Sequence, residues 1–250
     1  MTEAPARSGV AALTGPRVLA VMALALMLYI AVLVAVMAGT AYLAGEGVGG
    51  SAAITAFLLL LALQPVAFLG AGYVLAIRIW GLSWSDFGIT AARRKWVFLV
   101  PLFWVLSLPV VGVLKYTTDY LLGTPGSNPY ADTFEALGPA SPGLIIAVIV
   151  LGGIIVPASE EFLFRGLLYP WLRSRLGIVV AALISSLLFS LLHLHPAILA
   201  PIFFLGIVLA LLREYSGSIW PPILFHAIHN SAMFIALFSL LEAGVDLQAV

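Results

Sequence analysis

The sequence predicts an all-α protein, a polytopic transmembrane bundle of seven to eight helices around an intramembrane polar cavity. Three observations carry that reading. First, 63% of the 250 residues are hydrophobic and 9% are charged, whereas a soluble domain carries about 25% charged residues. Second, the apolar residues fall in runs that approach or exceed the roughly 20 residues needed to cross a bilayer. Third, Glu160, Glu161 and Arg165 lie together inside one such run, GGIIVPASEEFLFRGLLYPW. Charge at that depth is costly and calls for a partner or a task.

Composition also removes some classes of function. The formal net charge is +0, so no overall basic field points to nucleic acid. The chain has no cysteine, which rules out disulfides and any thiol nucleophile.

Seven spans follow from the apolar runs: 18–43, 52–77, 97–114, 144–168, 178–195, 197–212 and 220–241. The first is longer than a leader-peptide core and lacks an obvious cleavage site, so it reads as a span. The third carries Pro101 and Pro109, each of which disfavours a straight helix. The connection 115–143 contains TPGSNP and GPASPG, which read as turns, with room for a short surface helix around Thr133–Leu137. In outline, 1–17 is a loose cytoplasmic tail, 18–143 an N-terminal transmembrane region, 144–241 a catalytic core and 242–250 a C-terminal tail.

Orientation follows from the cations. With the N-terminus inside, Arg7, Arg17, Arg78, Arg93, Arg94, Lys95, Arg173, Arg175 and Arg213 all fall on the cytoplasmic side. Lys115 falls outside. This is the positive-inside pattern.

The polar residues within the spans define a candidate site. Glu161 and Arg165 are spaced i,i+4, on one helix face and in mutual reach, so they read as a brace. Glu160 points about 100° away with no local partner, which suits a general base. Pro157 marks a helix start or kink just before it. His193 closes the fifth run. Glu160 and His193 lie some 16 residues either side of the turn near Arg175–Leu176, each about 25 Å from it, hence at similar depth. His195, before Pro196, reads as a helix-end histidine. His226 and Asn230 are again i,i+4, suited to meeting an oxyanion or to a polar helix contact. His229 fits either a helix contact or the cavity. By counting, His226 is shallower than Glu160 unless the 213–221 segment dips into the protein.

These residues form a pattern. Glu160-Glu161-Phe162-Leu163-Phe164-Arg165 fits EExxxR, Phe189 to His193 fits FxxxH, and His226 to Asn230 fits HxxxN. In that order they resemble the three motifs of the CAAX protease and bacteriocin-processing family, the Rce1-like or Abi-type intramembrane endopeptidases. Leu205-Gly206 and Tyr215 to Trp220 are similar to that family's lead into its third motif. The resemblance covers about residues 144–235. It implies some eight helices and a cavity open to the cytoplasm and to lipid. It also implies water activated by Glu160 with His193, an oxyanion met by His226 and Asn230, and support from Glu161 and Arg165.

The reaction so implied is hydrolysis of a peptide bond in a membrane-associated protein or peptide, with the bilayer as the other partner and no cofactor. Zinc held by Glu160, His193 and His226 is the alternative within this class, although no HExxH motif is present. Serine chemistry at Ser159 or Ser218 lacks a histidine at a spacing that forces contact. A transporter would use the same charges as a relay, but no matching polar groups stand out in the N-terminal half. A non-enzymatic immunity or scaffold protein is the remaining reading.

Overall fold

The computed structural model describes residues 8–45, 49–124, 134 and 140–245. Helix forms over every apolar run, because a backbone in hydrocarbon must satisfy its own hydrogen bonds. Among the described residues, six helices are long and apolar enough to cross a membrane, so the protein is a multi-pass membrane helix bundle. We label them α1 (Gly15–Gly45), α2 (Gly49–Ala71, continued as a π-helix over Gly72–Ile79), α3 (Lys95–Leu122), α4 (Pro142–Leu191), α5 (Leu199–Ser216) and α6 (Trp220–Glu242).

The run α4 is two arms. At Gly177 the backbone leaves the helical region with φ 80° and ψ 174°. The aromatic rings of Phe164 and Phe189, 25 residues apart in sequence, then meet edge to face at 5.1 Å. Such contact is out of reach along one straight helix, where that separation spans about 37 Å. The chain therefore reverses at Gly177, close to the turn expected at Arg175–Leu176. The expected spans four and five are these two arms.

Several expectations are corrected. Helix α3 runs unbroken through Pro101 and Pro109 to Leu122; proline is tolerated where neighbouring groups take up the freed carbonyls. The second arm of α4 stops at Leu191, short of 195, and Leu194 adopts φ 53°. Pro157 does not begin a new helix. The first arm continues through it, with π-helical stretches at Leu151–Ile155 and Phe162–Leu168 on either side of Val156–Glu161. Proline offers no N–H to the carbonyl four residues back, and a widened turn is one way for a helix to absorb that loss.

The described part of the N-terminal tail is packed rather than loose. Val10 and Leu13 are buried. The Leu13 carbonyl accepts from Trp171 Nε1 at 3.0 Å and from Arg175 at 2.7 Å, tying this segment to the turn of α4. The short helix expected around Thr133–Leu137 lies outside the described residues except for Phe134, which is buried against Phe57, Phe234 and Phe238.

Close approaches at glycine set how the helices sit around α4. A methyl group on Gly152 would meet Phe234 of α6 at 2.7 Å and Leu61 of α2 at 3.3 Å, and one on Gly153 would meet Ser231 at 2.5 Å. A side chain at either position would push α6 away from the arm that carries the glutamates.

Candidate active site

The first arm of α4 presents its two carboxylates to different surroundings. Glu161 and Arg165 are fully buried and paired at 2.9 Å, as their spacing predicts. The same guanidinium donates to the Gly206 carbonyl at 2.9 Å and lies 4.5 Å over the Phe189 ring. It thereby joins the first arm to α5 and to the second arm. A side chain on Gly206 would collide with Ser186 at 2.8 Å, so glycine allows α5 to come near enough for that bond.

Glu160 keeps 13% of its side chain accessible. It is not without partners. Its Oε1 accepts from Gln64 Nε2 of α2 at 2.6 Å, and its Oε2 lies 3.7 Å from His226 Nε2. Tyr29 of α1 is near enough to interact electrostatically with it. Polar groups of the N-terminal half therefore reach the site. Gln64 is missed by sequence reasoning because it has no partner within its own run. The available signal is an amide within an otherwise apolar run, immediately before Pro65.

His226 stands between the two glutamates. Its Nδ1 is 3.0 Å from Glu161 Oε1 while Nε2 faces Glu160. An ionised carboxylate only accepts, so Nδ1 carries the proton of this contact and Nε2 is the atom directed at Glu160. Asn230, one turn further on, donates to the Gly152 carbonyl at 3.3 Å.

The depth of His226 is explained by the segment before α6. Ser218 and Ile219 are buried and tied down by the loop after α2. Ser218 Oγ donates to the Thr90 carbonyl at 2.6 Å, and Ile219 N to the Gly88 carbonyl at 2.8 Å. The chain dips into the protein before α6 begins, which carries His226 to the level of the glutamates. In the same loop, Phe87 stacks on Phe162 at 4.4 Å, immediately after Glu161.

His193 lies just past the last turn of the second arm. Its Nδ1 is 3.0 Å from the Phe189 carbonyl. A carbonyl can only accept, so Nδ1 carries the proton and Nε2 of the neutral ring is an acceptor. His193 and His226 both pack edge-on against Phe189, at 5.0 and 5.7 Å, and His193 interacts electrostatically with Glu160. His195 sits at the helix end as expected, opening the short turn Pro196–Ile198.

A pocket of ≈ 600 Å³ adjoins this group. His193, His226, His229 and Asn230 line one part of it, and Lys115, Tyr116 and Asp119 of α3 line another. His229 thus belongs to the cavity wall. Among the described residues, no group of three His, Asp or Glu side chains is arranged to hold a metal ion. Of the three residues considered for zinc, Glu160 Oε1 accepts from Gln64 and His226 Nδ1 contacts Glu161, while Glu160 Oε2 and His226 Nε2 face each other.

A protein-family model described as type II CAAX prenyl endopeptidase Rce1-like matches residues 142–232. The match takes in α4, α5 and the part of α6 that carries His226 and Asn230. An uncharacterized 24.3 kDa protein of Escherichia coli is 32% identical over 151 residues, covering 52% of this chain and 69% of that protein. The chain belongs to the Rce1-like CAAX endopeptidase family. As a member it is a membrane protease, a peptide hydrolase. A Bacillus subtilis (strain 168) protein named "Putative membrane peptidase YdiL" is 30% identical over 88 residues, 35% of this chain and 36% of that protein. No solved structure matches the chain. The family match begins at Pro142 and so contains the glutamates, both motif histidines and Asn230, but not Gln64 or the 84–90 loop.

Proposed function

We propose that this protein hydrolyses a peptide bond in a membrane-associated protein or peptide, using water activated by Glu160 and His193. The observation that carries the reading is His226 set between Glu160 and Glu161, with His193 against the same Phe189 ring. Family membership supplies the reaction class.

In this mechanism water lies between Glu160 Oε2 and His193 Nε2, both acceptors. Glu160 takes a proton as the water oxygen attacks the scissile carbonyl carbon. The carbonyl oxygen becomes an oxyanion, met by His226 Nε2 and by the Asn230 amide. To donate from Nε2 while Nδ1 donates to Glu161, the His226 ring must carry both protons. Glu160 then returns its proton to the leaving amine, and the tetrahedral centre collapses to acid and amine. Glu161 and Arg165 touch no reacting atom and serve to hold His226 and the arm in place. The peptide to be cut must be locally unwound, since helical amides are already paired.

For access, we favour the end of the pocket lined by Lys115, Tyr116 and Asp119. Lys115 lies about 30 Å along α3 from Lys95 at 1.5 Å per residue. With Arg93, Arg94 and Lys95 on the cytoplasmic side, that end faces away from the cytoplasm, whereas the family resemblance implies a cytoplasmic opening.

The test is membrane proteomics of cells carrying the wild type against Glu160→Gln. Fragments that vanish in the variant, at equal protein yield, identify substrates. Unchanged processing would remove Glu160 as the base.

A further inference from the structure

We propose that Gln64 is a positioning residue for Glu160, fixing which of its two oxygens is free to accept the proton from water. This rests on the hydrolytic reading above. The contact joins α2 to the first arm of α4 across 96 residues of chain, Gln64 Nε2 to Glu160 Oε1 at 2.6 Å. It lies outside the family match.

The surrounding packing makes the contact a fixed one. Either side of it, α2 approaches the glutamate arm through glycine. A methyl group on Gly152 would sit 3.3 Å from Leu61, and one on Gly72 would meet the Phe162 ring at 2.3 Å, where there is no room for it. Three and eight residues from Gln64, these contacts set both the spacing and the axial register of the two helices. Gln64 is thus held at Glu160 by backbone packing rather than by the hydrogen bond alone. An amide in an apolar helix costs free energy unless it is bonded, and Glu160 satisfies it.

The chemical consequence concerns orientation. An amide N–H donates only to an oxygen that does not itself carry a proton toward it. With Oε1 occupied, the proton taken from water goes to Oε2. That is the oxygen 3.7 Å from His226 Nε2, on the side where the oxyanion and the leaving amine are handled. Without the donor, the carboxylate is free to rotate about its last bond, and both oxygens compete for the water.

The experiment is carried out on the full chain in proteoliposomes. Gln64→Met keeps the volume of the side chain and removes the donor. Two readouts are taken. One is steady-state cleavage of a fluorogenic, internally quenched prenylated CAAX peptide. The expected result is a 10- to 100-fold fall in kcat with KM within 2-fold, the pattern of a group that acts on the reacting state rather than on binding. The other is the carboxylate stretch of Glu160 in the infrared, isolated as the wild type minus Glu160→Gln difference, which shifts when one oxygen loses its donor. An unchanged band, or a kcat within 2-fold of wild type, overturns the proposal.

The two ideas fail separately. If Glu160→Gln still cleaves, the hydrolytic reading falls while the band still decides whether Gln64 holds the carboxylate. If the peptide is not a substrate, the band alone decides. Should Gln64→Met not fold, solid-state NMR on the wild type replaces it. The chain has only two glutamines, Gln64 and Gln248, so side-chain ¹⁵N labelling reports on Gln64 nearly alone. No dipolar contact between that nitrogen and a ¹³C-labelled glutamate carboxyl would overturn the proposal.

Discussion

His226 and Glu161 are joined across 65 residues of chain by a 3.0 Å contact between Nδ1 and Oε1. That oxygen also accepts from Arg165 at 2.9 Å. A single buried carboxylate oxygen thus ties together the ion pair of one helix and the imidazole of another.

Breaking the ion pair from one side therefore has a large effect. Arg165→Met leaves the Glu161 charge buried without its cation, which for such pairs costs about 3–5 kcal/mol. We expect a marked fall in thermal midpoint in detergent and low yield in membranes. The double variant Glu161→Gln, Arg165→Met removes both charges and recovers most of the midpoint, but not the activity, because His226 loses its ionised acceptor. A double variant no more stable than Arg165→Met would show that charge burial is not the cause.

Removing the oxyanion donors affects turnover more than folding. His226→Ala and Asn230→Ala are each expected to lower kcat by roughly 10²–10³-fold, with the midpoint moved only slightly for Asn230→Ala. Side-by-side kinetics and thermal melts of both variants check this. A kcat for Asn230→Ala close to wild type would restrict Asn230 to its bond with the Gly152 carbonyl.

Much of this site could be read from the sequence. Spacing alone gave the Glu161–Arg165 brace and the shared level of Glu160 and His193, because both depend on local helix geometry and on one turn. Gln64 was not legible. Its partner lies 96 residues away, and nothing in its own run announces an acceptor. The level of His226 was not legible either. It depends on Ser218 and Ile219 bonding to the Thr90 and Gly88 carbonyls, a tertiary contact with no periodic signal. Pro157 allows either a start or a kink from sequence, and the helix continues through it between two π-helical stretches.

The 84–90 loop gives a further prediction. Gly88 has φ +80°, and a methyl group there would meet Arg213 at 2.5 Å, whose Nε donates to the Arg165 carbonyl at 3.2 Å. Left-handed backbone costs an ordinary residue about 1–2 kcal/mol. Gly88→Ala is expected to lower the thermal midpoint and cut activity together, although residue 88 lies far from the glutamates in sequence. Melting and kinetics equal to wild type would show that the loop does not support α6.

Access to the pocket can be examined directly because the native chain has no cysteine. Tyr116→Cys is expected to react with an impermeant maleimide added to the non-cytoplasmic face of intact cells. Labelling only after the cytoplasmic face is exposed would reverse the orientation proposed here.

Metal dependence has a plain test. Activity is expected to survive prolonged chelation followed by gel filtration, with no stoichiometric metal by elemental analysis. Loss on chelation and return with zinc would assign Glu160 and the histidines as ligands instead.

The reversal at Gly177 turns the meeting of the two arms of α4 into a matter of counting. One residue added within the second arm would swing Phe189 and His193 about 100° round the helix and aim them at lipid. The same residue added at the bend, where Gly177 has open space around it, would leave both arms in register. The bend is thus where the chain tolerates a change of length, while an insertion in either arm breaks their register.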